Sequence, residues 1–299
     1  MKIFYYDFVT FWFCSIVREC LKNKEILVLA SDIMKGKKGL IIGIANDKSL
    51  AWGIAKTLAM HGADIAVTYL SDVFKKRIDP LVDSIGVKLV LQCDVSKEDS
   101  VDTMFEQLND EWENIDFLVH AVAFSDKNEL KGRYIDTSLD NFLTSMHISC
   151  YSLTYLAKKV EKMMCNGGSI LTLSYYGAQK VMPHYNVMGV CKAALEASVK
   201  YLAVDLGSQN IRVNAISAGP VRTLASSGIG DFHYILTWNK YNAPLRRNTT
   251  IEDVGGAALY LLSDLGRGTT GEILYVDSGY HAIGMKAIDA PDINYVEAK

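Results

Sequence analysis

The sequence has no extended basic tract, no metal-ligand cysteine spacing, no apolar stretch of membrane length and no G-x-G-x-x-G fingerprint. Its longest basic run is Lys75-Lys76-Arg77 in a chain of net charge −3. That leaves no electrostatic footprint for nucleic acid, and the three cations read as a solvated helix face. The cysteines (Cys14, Cys20, Cys93, Cys150, Cys165 and Cys191) form no C-x-x-C and have no histidines at zinc-ligand spacing. Most fall in apolar helical or strand patterns, as buried free thiols do. A reducing compartment, the cytoplasm, suits them better than a secreted setting. No repeat and no linker-like composition divides the chain.

The first 33 residues do not share the patterning of the rest. MKIFYYDFVTFWFCSIVREC is aromatic-rich, but Asp7 and Arg18 bracket an apolar run of about ten residues, too short to span a bilayer. The run Ile26–Ala30 follows charges and lacks a small-x-small cleavage site. Residues 1–33 therefore read as an extension from an upstream start that packs poorly, with an interfacial anchor as the second reading. Stable insertion into a membrane is not expected.

From Met34 on, what is present is regular. Short runs rich in Ile, Val and Leu alternate with helix-spaced segments: Gly39–Ile44, DIAVTYL (64–70), Lys88–Gln92, DFLVH (116–120), Ser169–Leu173, RVNAI (212–216) and EILYV (272–276). Near-continuous apolar strands, each followed by a helix, imply a parallel sheet covered on both faces. Right-handed crossovers make that a Rossmann-like, doubly wound α/β fold of seven strands. One domain is expected over 34–285, with a long helix over Leu139–Met164. A small helical substrate flap, aromatic and Gly-containing without a strict period, is expected over Ser226–Tyr241 before the last helix and strand, and a loose polar tail over 286–299.

The chemistry gathers in SILTLSYYGAQKVMPHYNVMGVCK (169–192). Lys192 lies seven residues after Tyr185, two helical turns on, so the pair shares one face. Tyr175 ends the preceding strand. A phenol that can hand over a proton beside a held ammonium is reductase chemistry, and the ammonium is expected to favour the phenolate. Tyrosines also line many cores with only a hydroxyl reaching out. After the first strand, Gly43 through Ser49 and Leu50 lead into a helix, a place that suits a pyrophosphate; a loop closed by a capping serine fits equally. At the second strand's end Leu70 offers neither a carboxylate for a ribose nor a cation for a 2′-phosphate, which favours NADH over NADPH. Asp94, beside Val95, either holds an adenine edge or caps its own turn. His120 reads as a packed histidine, and the small residues after it, with Val122 and Ser125, lie where such sheets bind ligands. Gly219-Pro220 turns the chain before Val221, Arg222, Thr223, Leu224 and Ala225, where Thr223 can bond a phosphate or carboxamide.

These residues together resemble the bacterial enoyl-[acyl-carrier-protein] reductases of type II fatty-acid synthesis, a divergent branch of the short-chain dehydrogenase/reductase superfamily. The resemblance spans Lys35 to about Met285. It is carried by LTLSYYGA (171–178), YNVMGVCKAALEA (185–197), RVNAISAGPVRTLASSGI (212–229), TIEDVG (250–255) and LQCDV (91–95). Tyr-x6-Lys replaces the superfamily's usual Tyr-x3-Lys, and position 189 is glycine. The resemblance implies an NADH-dependent reductase of carrier-bound trans-2-enoyl thioesters that assembles as a homotetramer. It implies that Tyr185 bonds the thioester carbonyl, that Lys192 holds the nicotinamide ribose and that Tyr175 is a second active-site tyrosine. Gly43, Ser49, Leu50, Leu70, Asp94, Val95, Val122 and 221–225 match cofactor contacts, and Ser125 a substrate-side contact. Leu70 stands where many relatives have glutamine, and Ala121 where many have serine. The flap carries Gly230, His233 and Tyr234 and little positive charge, which leaves Arg222, Arg246 or Arg247 to meet an acidic carrier. The rival readings are a carbonyl reductase or alcohol dehydrogenase, which would need Tyr-x3-Lys, and a non-catalytic NAD(H) sensor, for which the tyrosines and lysine would be superfluous.

Overall fold

Apolar runs that are buried on both faces can pair only inside a covered sheet, and that is what they form. The computed structural model describes residues 32–293 except 225 and 227–229, all within the unit Asp32–Lys299; the expectations for residues 1–31 lie outside them. Strands β1 (Lys38–Ile42), β2 (Asp64–Tyr69), β3 (Leu89–Gln92), β4 (Phe117–His120), β5 (Gly168–Tyr175), β6 (Ile211–Ala218) and β7 (Ile273–Val276) make one sheet. Its order is β3-β2-β1-β4-β5-β6-β7, with every pair parallel. The order reverses between β1 and β4, so the loops leaving their carboxyl ends diverge and open a crevice.

Helices α1 (Leu50–Met60), α2 (Asp72–Ser84) and α3 (Glu98–Glu111) follow the first three strands, and α4 (Leu139–Met146) and α5 (Ser152–Val160) follow β4. Helix α6 (Asn186–Gly207) follows β5, and α7 (Phe232–Asn242) and α8 (Ile251–Leu262) precede β7. Alternate residues of each strand serve opposite faces. Leu40 and Ile42 join Met104, Leu153, Leu156 and Leu195 on one side, while Ile41 joins Ile54, Leu58, Val82 and Val254 on the other. Burial of each such side chain contributes roughly 1.5–3 kcal/mol.

Two expectations are refined and one is corrected. The helical run from Leu139 continues to Met163 but passes through a π turn, His147–Tyr151, between α4 and α5. Its serines have other partners: Ser149 Oγ accepts from Phe124 N at 2.9 Å, and Ser152 Oγ donates back to Ile148 O at 2.7 Å. The expected helical flap contains α7, which is held by Trp238 Nε1 donating to the Tyr280 hydroxyl at 3.0 Å. The described part of the tail is tied down: Ala287 N donates to Asn242 Oδ1 at 2.9 Å and Asp289 pairs with Arg246 at 2.7 Å.

Candidate active site

A cleft of about 590 Å³ opens at the carboxyl ends of β1, β4, β5 and β6, within the size range of cofactor sites. Its floor begins at Gly43, whose φ is +113° and whose added Cβ would lie 2.2 Å from Ala121 O. Only glycine fits there, on backbone geometry and on space alike. Ser49 stands at the N-cap of α1 without capping it. Its Oγ instead accepts from Ala45 N at 3.0 Å and Asn46 N at 2.9 Å, closing the loop. Leu50 and Ala51 line the cleft, and first-turn N–H groups have no intrahelical partner. Close backbone approach plus a free helix start is a cradle for a pyrophosphate.

At the β2–β3 end the wall is Leu70, Phe74, Asp94 and Val95, and Leu70 is 51% exposed. The Asp94 carboxylate serves its own turn, accepting from Ser96 N at 3.1 Å and Ser96 Oγ at 2.6 Å. Burial alone would raise its pKa, but Ser96 and Lys97 outweigh burial and hold it below the ordinary carboxylate value. Val122 and Ser125 line the opposite wall, with Ser125 Oγ bonded to Asn141. Val221, Thr223 and Leu224 close over the top, where Thr223 N donates to Ser226 Oγ at 2.8 Å. Arg222 is set apart from them in a neighbouring hollow with His233 and Lys240. Ala225 lies outside the described residues.

Tyr175, Tyr185 and Lys192 line this same cleft. The two rings meet edge to face, 5.0 Å between centroids, and Tyr185 and Lys192 are 7% and 6% exposed. The Tyr175 hydroxyl is buried with no hydrogen-bond partner among the described residues, an acceptor or donor awaiting something in the cleft. Lys192 Nζ donates to Leu173 O at 2.8 Å. Burial lowers its pKa to about 8. The expected push toward phenolate is not found: burial, and then Tyr175, Cys191 and Glu196, raise the Tyr185 pKa. Tyr185 is therefore a neutral donor, because loss of water around the phenol outweighs any nearby cation. Tyr175 also lines an aromatic hollow of about 220 Å³ with Tyr176, Tyr234, Trp238 and Tyr280.

The local chain explains how Tyr185 is aimed. A Cβ on Gly177 would lie 2.4 Å from its ring, and one on Gly189 would lie 2.9 Å from Gly177 O. The residues on either side, His184 and Asn186, have φ of +55° and +37°, strain of order 1–3 kcal/mol each. Neighbours hold them there: Asn186 Nδ2 donates to Leu130 O at 3.2 Å, and His184 Nε2 meets Asp231 at 2.9 Å. Sequence reasoning missed both, along with Glu196; the readable signal was an asparagine, a residue that tolerates left-handed backbone. His120 is packed as expected, its nitrogens 2.8 Å from Thr172 Oγ1 and 2.8 Å from Ser152 Oγ. Burial, with Lys192 adding to it, lowers its pKa to about 3. A neutral ring has one N–H, so one of the two hydroxyls must turn its proton to the ring. Among the described residues no group of His, Cys, Asp and Glu could hold a metal ion.

The family model for enoyl-(acyl carrier protein) reductase matches residues 43–281. Enoyl-[acyl-carrier-protein] reductase [NADH] 1 of Rhizobium meliloti is 62% identical over 268 residues, covering 90% of this chain and 98% of the relative. The NADH-type reductase of Rickettsia conorii is 58% identical, covering 86% of this chain and 98% of that one. Among solved structures, the Anaplasma phagocytophilum enoyl-(acyl-carrier-protein) reductase in complex with NAD is 74% identical with a TM-score of 0.84, covering 88% of this chain and 98% of its own. Matches of this extent, on a chain whose tyrosines and lysine meet in one cleft, place it: the chain belongs to the enoyl-(acyl carrier protein) reductase family.

Proposed function

We propose that this chain reduces trans-2-enoyl thioesters of an acyl carrier protein with NADH. The observation that carries the reading is the burial of Tyr175, Tyr185 and Lys192 in one cleft whose floor suits a pyrophosphate. When bound, NADH supplies the hydride that reaches the β-carbon. Gly43, Leu50 and Ala51 would hold its pyrophosphate, Leu70, Asp94 and Val95 its adenosine end, and Lys192 its nicotinamide ribose. The cations lining the cleft are Lys127 and Lys192, and Lys75, the nearest in sequence to Leu70, is paired with Asp79 at 2.8 Å. Among the described residues no cation stands at the Leu70 wall to receive a 2′-phosphate, which supports NADH over NADPH.

Tyr185 donates a hydrogen bond to the thioester oxygen, where negative charge develops as the enolate forms. One such preorganised donor is worth roughly 3–4 kcal/mol of barrier. Lys192 adds positive potential, Tyr175 directs its unpaired hydroxyl into the same space, and Ser125 stands on the substrate side. The α-carbon proton comes from a tyrosine or from water. Position 189, where a Tyr-x3-Lys enzyme has its lysine, is a glycine lying under Gly177 O, which weighs against a carbonyl reductase.

The carrier's acidic surface would meet the hollow formed by Arg222, His233 and Lys240. Arg247 is committed to Asp253 at 2.9 Å and Arg246 to Asp289 at 2.7 Å. Exposed apolar side chains, Tyr201 and Val204 on α6 and Leu139 and Leu143 on α4, support assembly as a homotetramer. No helix among the described residues is long and apolar enough to cross a membrane, and the reading includes a cytoplasmic location. The test is loss of NADH absorbance with crotonyl-CoA, run beside NADPH. Turnover with NADH and little with NADPH is expected, and no turnover with either would overturn the proposal.

A further inference from the structure

Glu196 is a carboxylate that the reaction above does not use, yet it is buried, 7% exposed, four residues beyond Lys192 on α6. A buried carboxylate is costly unless its lone pairs are met, and these are. Its Oε1 accepts from Ser174 Oγ at 2.6 Å and its Oε2 from Gln179 Nε2 at 3.4 Å. Ser174 immediately precedes Tyr175 on β5, and Gln179 closes the turn Tyr176–Ala178 that follows. Lys192 bonds the adjoining Leu173 O at 2.8 Å. Two residues one turn apart on α6 thus grip Leu173, Ser174 and Gln179, on both sides of Tyr175.

We propose, on the footing of the reductase reading, that Glu196 is a positioning residue: it clamps the end of β5 and the turn after it to α6, and so holds Tyr175 in place beside Tyr185. The spacing of four puts Glu196 and Lys192 on the same helical face, so both reach the end of the same strand, Lys192 at Leu173 O and Glu196 at Ser174 Oγ.

Two variants test the clamp. Ser174→Ala removes the donor to Oε1, so kcat with crotonyl-CoA should fall about tenfold while NADH affinity, read by fluorescence titration of the full chain, stays within about twofold. Glu196→Gln retains an oxygen to accept from Ser174, so its kcat should stand closer to the parent than that of Glu196→Ala, with thermal melts to verify folding of each. Parental kcat for Ser174→Ala, or equal losses of kcat and NADH affinity, would overturn the proposal. The NADH titration does not depend on turnover, so absence of enoyl reduction in the parent would sink the reductase reading separately.

Discussion

Tyr185 and Lys192 divide the work, and their burial sets how each responds to change. Tyr185→Phe removes the donor aimed at the thioester oxygen and should lower kcat about 10²- to 10³-fold, with NADH affinity within about twofold, as steady-state kinetics and fluorescence titration would register. Lys192→Ala should weaken NADH binding; unchanged affinity would refute that division of labour. In the unaltered protein, NADH affinity should be flat below pH 8 and fall as pH rises through the Lys192 value of about 8, because the ammonium is the binding form. His120 acts on stability. Its folded pKa of about 3 lies below the unfolded value of 6.5, so between these values the unfolded chain binds the extra proton and stability rises with pH. Without the ring, the Thr172 and Ser152 hydroxyls can each donate to a backbone carbonyl within reach, so His120→Phe leaves them satisfied. That variant should unfold at lower pH than the parent in an acid titration followed by circular dichroism.

At the scale of the element, α6 and the turn before it are joined where Gly189 meets Gly177. Gly189→Ala must push the helix from the turn, since its methyl would stand 2.9 Å from Gly177 O. A loss of about tenfold in kcat is expected, with a smaller change in NADH affinity, because Tyr185 is displaced more than the floor at Gly43. The strands were legible because burial on both faces writes itself as runs such as FLVH and ILTL, and α1, α6 and α8 because their apolar spacing is helical. Helix α7 was legible only as a small helical flap without bounds, since Trp238 is fixed by Tyr280, distant in sequence, and the segment shows no simple period. The same limit applied to the site. The tyrosines and lysine were readable from spacing on one helix, whereas Glu196 is defined by bonds to Ser174 and Gln179 across two elements. Asp94 showed a residue type compatible with two roles, and only the Ser96 contacts told them apart.

At the scale of the molecule, the described residues expose apolar area on α4 and α6, where Tyr201 and Val204 are 75% and 80% exposed. Under the proposed assembly, light scattering should give about four times the 33.1 kDa chain mass. Val204→Glu should reduce that mass, and an unchanged tetramer would show that the face lies outside the interface. The π turn His147–Tyr151 has a further bearing on how the chain tolerates change. Its i→i+5 bonding stores one residue more than an α turn would, without rotating the helices on either side. Deleting a single amino acid there would leave Leu153, Leu156 and Val160 on the sheet, so the protein would still fold. The cleft wall at Ile148 would nevertheless be redrawn. Foldability and reactivity therefore impose different rules on chain length at this point, and only the second forbids the shorter chain.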